Sequence, residues 1–182
     1  MQTSSPSSAS NVKCVPISHK NLITSSQAAL SWCRKTWPQQ DFNHLRVLGW
    51  SPWSVTMCLS HDIGGSTLLT AGCYIFSTIP TGYPTGVGAA KKSSLHTQLL
   101  DTAISKKTTV FGGLPFILEG FIKMWKNELD MTHRARIMEA IKLFKTFVTS
   151  GAPISAECIE WAKQVGLPLV NAMGATEFGG ML

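Results

Sequence analysis

The sequence predicts an α/β fold, a mostly parallel sheet flanked by helices, and three observations predict it. Short β-rich runs alternate along the chain with longer segments of helical apolar spacing. The run Cys73-Tyr74-Ile75-Phe76-Ser77-Thr78-Ile79 is apolar enough for a strand buried on both faces. Gly- and Ser-containing turns follow several of these runs, which is where ligands bind in open α/β sheets. The chain has 182 residues, which suits a single domain or one large subdomain.

The elements follow in order. Residues 1–13 are polar and Ser-rich and read as a loop. Ser18 is placed to cap a helix over residues 19–32, with Leu22, Ala29 and Leu30 on its apolar side. Arg34 and Lys35 then stand near its C-terminus, where cations suit the helix dipole. Residues 47–50 predict a short strand, 59–71 a helix and 73–79 a strand. The Pro- and Gly-rich stretch 80–92 predicts a loop. Leu95, Leu99, Leu100 and Ile104 fit one helix face, with Ser93 or Ser94 as its cap. Residues 108–111 predict a strand ended by Gly112-Gly113. Pro115 suits the first turn of a helix reaching residue 127, and a further helix covers 132–142. A strand over 144–149, a helix from the Ser155 cap to Val165 with Gly166 as its stop, and a strand over 169–171 complete the pattern.

Composition narrows the function. The chain is 44% apolar but only 14% charged, against a norm of about 25% charged. Some apolar surface therefore suits a partner domain. The net charge is +6. Its basic residues are scattered among Arg34-Lys35, Lys91-Lys92, Lys106-Lys107 and the Lys123/Lys126 pair, which reads as solvated surface rather than a nucleic-acid footprint. The five cysteines stand at no metal-ligand spacing, and the histidines are dispersed, so a structural zinc site is not expected. Reduced thiols fit a cytoplasmic protein. The opening residues lack the apolar core that a signal peptide needs. The uncharged stretch 63–83 holds several Gly and a Pro, and reads as a buried helix and strand rather than a membrane span.

Three segments have residue types suited to chemistry. Ser4-Ser5-Pro6-Ser7-Ser8-Ala9-Ser10-Asn11-Val12-Lys13 supplies hydroxyls and a cation for phosphate oxygens. Thr149-Ser150-Gly151-Ala152-Pro153 follows a strand, and its small residues leave room for a flat ring. Asn171-Ala172-Met173-Gly174-Ala175-Thr176-Glu177-Phe178-Gly179-Gly180 follows the last strand and offers a hydroxyl and a hard oxygen ligand. Each alone has an ordinary structural reading as a loop or a strand-to-helix turn. The stretch 82–93 fails as a phosphate-binding P-loop, because Lys91 rather than Gly precedes Lys92-Ser93.

Taken together and in this order, the segments resemble the adenylate-forming superfamily of acyl-CoA synthetases, peptide-synthetase adenylation domains and luciferases. Its Ser/Thr/Gly-rich phosphate loop is similar to residues 5–13, followed by His19-Lys20-Asn21. Its Gly-Gly-Ala-Pro segment is similar to Ser150-Gly151-Ala152-Pro153, and its Asn-x-Tyr-Gly-x-Thr-Glu motif to residues 171–177. The segments Pro52-Trp53-Ser54, Leu59-Ser60-His61-Asp62 and residues 111–121 resemble the fungal multidomain type. The resemblance implies an incomplete N-terminal subdomain, with residues 1–182 a partial AMP-binding domain. It implies ATP or AMP with Mg²⁺, a carboxylic acid, and CoA or carrier-protein phosphopantetheine in the intact parent; neither nucleic acid nor membrane is an expected partner.

By the same resemblance, Ser7, Ser8, Ser10 and Lys13 face the pyrophosphate side of ATP. Ser150, Gly151 and Ala152 line adenine, with Asn171 and Gly174 also at the nucleotide. Thr176 contacts the α-phosphate and Glu177 holds Mg²⁺, and these two are the catalytic candidates. His61 and Trp53 stand near the acyl pocket. Several positions depart from the pattern. Ser7 and Ser10 replace loop glycines, Val12 replaces Pro, Val55 a common His, Cys58 a common Gly, and Met173 a Tyr. The chain ends before any counterpart of the family's ribose-binding aspartate, hinge or C-terminal lysine. Two other readings stay open: a non-catalytic remnant of such an enzyme, and a basic nucleic-acid-binding module.

Overall fold

The computed structural model describes residues 2–3, 13–14, 16–49, 69–76, 92–126, 131–175 and 180–181. Two short strands, β1 (Gln2–Thr3) and β2 (Lys13–Cys14), pair antiparallel. Helix α1 (His19–Thr36) follows. Ser18 caps it as expected. Its Oγ accepts the Asn21 amide at 3.1 Å, and the Asn21 side chain reaches back to the Ser18 amide at 3.1 Å. The helix runs beyond residue 32 because nothing stops it before Pro38, and it closes with the Trp37 amide donating to the Cys33 carbonyl at 2.9 Å. Arg34 and Lys35 are in its last turn.

Strands β3 (Arg46–Gly49) and β4 (Cys73–Phe76) then form a parallel pair. Residues 59–68 of the expected intervening helix lie outside the described residues, and Leu69, Thr70 and Ala71 form bends rather than helix. Helix α2 (Lys92–Ser105) begins at Lys92, so Ser93 and Ser94 stand inside its first turn and neither is the cap. Strand β5 (Val110–Gly113) sits two residues later than expected. Thr109 instead anchors the entry of β3, where its Oγ1 accepts the Arg46 amide at 2.8 Å. Gly112 and Gly113 belong to the strand rather than following it; they pair in register with Val148 and Thr149.

Helices α3 (Pro115–Lys126) and α4 (Met131–Leu143) come next, then β6 (Thr146–Thr149), α5 (Ala156–Val165) and β7 (Leu169–Asn171). Ser155 caps α5 by accepting the Cys158 amide at 3.2 Å. Gly166 ends that helix in the left-handed conformation (φ 70°), which costs glycine nothing. Two final strands, β8 (Gly174–Ala175) and β9 (Gly180–Met181), pair antiparallel.

The central sheet is five-stranded and parallel, in the order β4-β3-β5-β6-β7. From β3 the chain goes to one side for β4 and to the other for β5, which makes the gap between β3 and β5 a topological switch point. Alternation along the strands separates two cores. Leu48, Phe111 and Phe147 face α2, α3, α4 and α5, and rings of Phe111, Phe121, Phe144 and Phe147 pack together with centroids 5.1–6.4 Å apart. Val47, Val110 and Tyr74 face the other way, toward Leu30 and Cys33 of α1 with Trp37, Phe42, Leu45 and Leu69. Helices thus cover both faces, and every strand of this sheet delivers its carboxyl end to one edge.

Candidate nucleotide site at the carboxyl edge of the sheet

That edge is built from Gly113, Thr149 and Asn171, which are the last residues of three adjacent strands and stand in register. Two hydrogen bonds tie down the segments leaving it. The Ser150 amide donates to the Gly113 carbonyl at 3.3 Å, and the Ala172 amide to the Thr149 carbonyl at 2.8 Å. The turn after β6 and the segment after β7 therefore leave the sheet side by side. They are about twenty residues apart along the chain, and the parallel pairing of β6 with β7 joins them.

Gly151 gives the turn its shape. Its φ is +85°, which side-chain-bearing residues rarely adopt, and a Cβ there would come within 2.8 Å of Leu114 Cδ2. Gly151 and Ala152 are exposed, so the backbone of the turn lies open above the Leu114 side chain. The described residues of this edge, 112–116, 149–155 and 171–175, carry no ionisable side chain. A surface without charge suits the face of a purine better than it suits phosphate.

The remaining site candidates divide by location. Asn171 is exposed at the end of β7, and Gly174 starts β8, so both adjoin the turn's neighbouring strand. Met173, in the place of the family's Tyr, is 71% exposed. Lys13 lies on β2, in the ribbon with β1 and apart from the five-stranded sheet. Ser7, Ser8 and Ser10 fall between β1 and β2 in sequence, and Thr176 and Glu177 between β8 and β9; these five lie outside the described residues, as do Trp53 and His61. The pairing of each ribbon nevertheless holds together the two ends of the segment it brackets. Helix α1, which begins shortly after Lys13, lies against β9.

Sequence reasoning did not find the two ribbons, because ladders of two residues leave no periodicity. It also missed Leu114 as the support beneath Gly151. Among the described residues, no group of three or more His, Cys, Asp or Glu side chains could hold a metal ion, and no helix is long and apolar enough to cross a membrane. A groove of about 430 Å³ lies elsewhere, lined by Gln27, Leu30, Ser31, Arg34, Lys35 and Leu69.

An open parallel α/β sheet binds its ligands outside the carboxyl ends of its strands, which is the edge this turn occupies. The chain belongs to the AMP-binding enzyme family, whose model matches residues 7–182. It is 35% identical over 186 residues to the hispidin synthase of Neonothopanus nambi, a match covering 99% of this chain and 11% of that protein. Its fold is similar to that of the Bacillus subtilis o-succinylbenzoate CoA synthetase, with a TM-score of 0.67 at 13% identity over 100% of this chain and 30% of the other. It is also similar to the Klebsiella oxytoca NpsA N-terminal subdomain in complex with 3-hydroxybenzoyl-AMSN, with a TM-score of 0.65 at 17% identity over 100% and 37%. The chain therefore spans about a tenth of the curated relative's length and about a third of each solved structure.

Proposed function

We propose that this chain forms the nucleotide-facing part of a longer enzyme that activates a carboxylic acid with ATP. The observation that carries the reading is the juxtaposition of the Ser150, Gly151 and Ala152 turn with Asn171 and Gly174 at one sheet edge, in a chain of the AMP-binding family. In this reading adenine lies over the turn. Lys13 and the hydroxyls of Ser7, Ser8 and Ser10 neutralise and hold the pyrophosphate portion of ATP. Thr176 donates to an α-phosphate oxygen. A carboxylate oxygen of the acid attacks the α-phosphorus, the bond to the bridging oxygen of the β-phosphate breaks, and pyrophosphate leaves. The acyl-adenylate then passes its acyl group to the thiol of CoA or of a carrier phosphopantetheine, releasing AMP.

Negative charge grows on the α-phosphate oxygens during attack, so a donor fixed there before the reaction lowers the barrier. Mg²⁺ at Glu177 would neutralise the phosphates, and one protein carboxylate with the nucleotide's own oxygens is a usual set for that ion. The nucleic-acid reading has less support. Lys126 pairs with Glu157, Lys163 with Glu160 and Arg136 with Asp101, so several cations already face acids across or along helices.

Isothermal titration with ATP and Mg²⁺ tests the proposal. Binding is expected, and Thr176→Ala should weaken it by about tenfold, the loss of a hydrogen bond to a charged group. A folded sample that binds no nucleotide supports the alternative of a non-catalytic remnant, a reading motivated by Ser7, Ser10 and Val12 in the loop and by the exposed Met173.

A further inference from the structure

We propose that Thr149 is a further nucleotide-binding residue, whose hydroxyl finds its hydrogen-bond partner on the bound nucleotide. The inference rests on the reading of residues 150–152 as the adenine-facing turn. Thr149 is the last residue of β6 and is 0% exposed. Its backbone is held on both sides, by register with Gly113 and Asn171 and by the Ala172 amide on its carbonyl. Its Oγ1 has no hydrogen-bond partner among the described residues. A buried hydroxyl is costly to leave unpaired, and folds retain such groups where something else completes them.

Location separates this orphan from two similar ones. The hydroxyls of Thr108 and Thr146 are also buried without a partner among the described residues. Thr108 precedes β5 and Thr146 opens β6, so both stand at the amino ends of their strands, opposite the proposed site. Thr149 stands at the carboxyl end, one residue before the turn. Alternation places it on the face of Phe147, the face packed by α3 and α5. Both helices begin at this same edge, since Pro115 follows β5 by two residues and Ser155 follows Thr149 by six. A threonine hydroxyl both donates and accepts, and a purine edge offers ring-nitrogen acceptors beside an amine donor.

Valine has the shape of threonine without the hydroxyl, so Thr149→Val isolates the group. The test is titration of AMP into the 182-residue chain and into Thr149→Val, Thr149→Ser and Thr146→Val variants, with thermal unfolding of each. The expected result is about five- to tenfold weaker binding, the value of one hydrogen bond, for Thr149→Val alone. Thr149→Ser and Thr146→Val should bind AMP like the unsubstituted chain. The unfolding midpoint of Thr149→Val should be unchanged or raised, because an unpaired buried hydroxyl has been removed. Equal AMP affinity for Thr149→Val and the unsubstituted chain overturns the inference and leaves the proposed function standing. A lowered midpoint for Thr149→Val also overturns it, because the hydroxyl then serves the fold. No AMP binding by the unsubstituted chain overturns both.

Discussion

Single residues set the shape and the pH response of this molecule. Gly151 holds a positive φ above Leu114, and both facts oppose any side chain there. Gly151→Ala should lower stability by about 1–2 kcal/mol from backbone strain and crowding, and should weaken nucleotide binding if the turn faces adenine. Chemical denaturation and titration read the two effects separately. Adding Leu114→Ala relieves the contact but not the φ, so only part of the stability should return. Cys33 gives a second, independent prediction. Burial against the α1 core pushes its thiol from 9.0 up to about 11. The folded state therefore holds this proton more tightly than the unfolded chain does. The sign follows: the contribution is full below pH 9 and is lost as pH rises through about 11. Thermal scans should show the midpoint falling across that window, and Cys33→Ala should flatten the fall.

At the scale of elements, local rules account for most helix boundaries. Ser18, Ser155 and Gly166 cap where the sequence places them, because capping depends on neighbours three or four residues away. Ser18→Ala removes the hydroxyl that accepts the Asn21 amide at an exposed helix start and should cost about 1 kcal/mol in chemical denaturation, with the sheet intact. Strand limits were less legible, and β5 shows why. Thr109 has the composition of a strand residue, yet its hydroxyl is engaged by Arg46, 63 positions earlier. Gly112 and Gly113 look like a terminator, yet they extend the strand because β6 approaches closely beside them. Both outcomes depend on partners distant in sequence. Ser93 and Ser94 failed as caps for another reason: α2 starts one residue before the first of them, a choice among adjacent polar residues that spacing does not make.

Across the whole molecule, parallel pairing creates proximities that sequence order conceals. The α/β class was legible from alternation alone, whereas the neighbourhood of residues 150–152 and 171–174 exists only because β6 and β7 lie side by side. The small residues of the turn were visible in the sequence, but Leu114 beneath them and the orphaned Thr149 hydroxyl emerge only from packing. Helix α1 packs against β9, one strand of the β8/β9 ribbon. These contacts make one prediction about assembly: a single nucleotide should touch segments from the middle and the end of the chain at once. Photolabelling with 8-azido-AMP, followed by mass-spectrometric mapping, reads that directly. Label is expected on peptides containing residues 150–152 and 171–177, and excess AMP should suppress it. Label confined to the groove of Gln27, Arg34 and Lys35, or spread without competition by AMP, would contradict a nucleotide site at the carboxyl edge of the sheet.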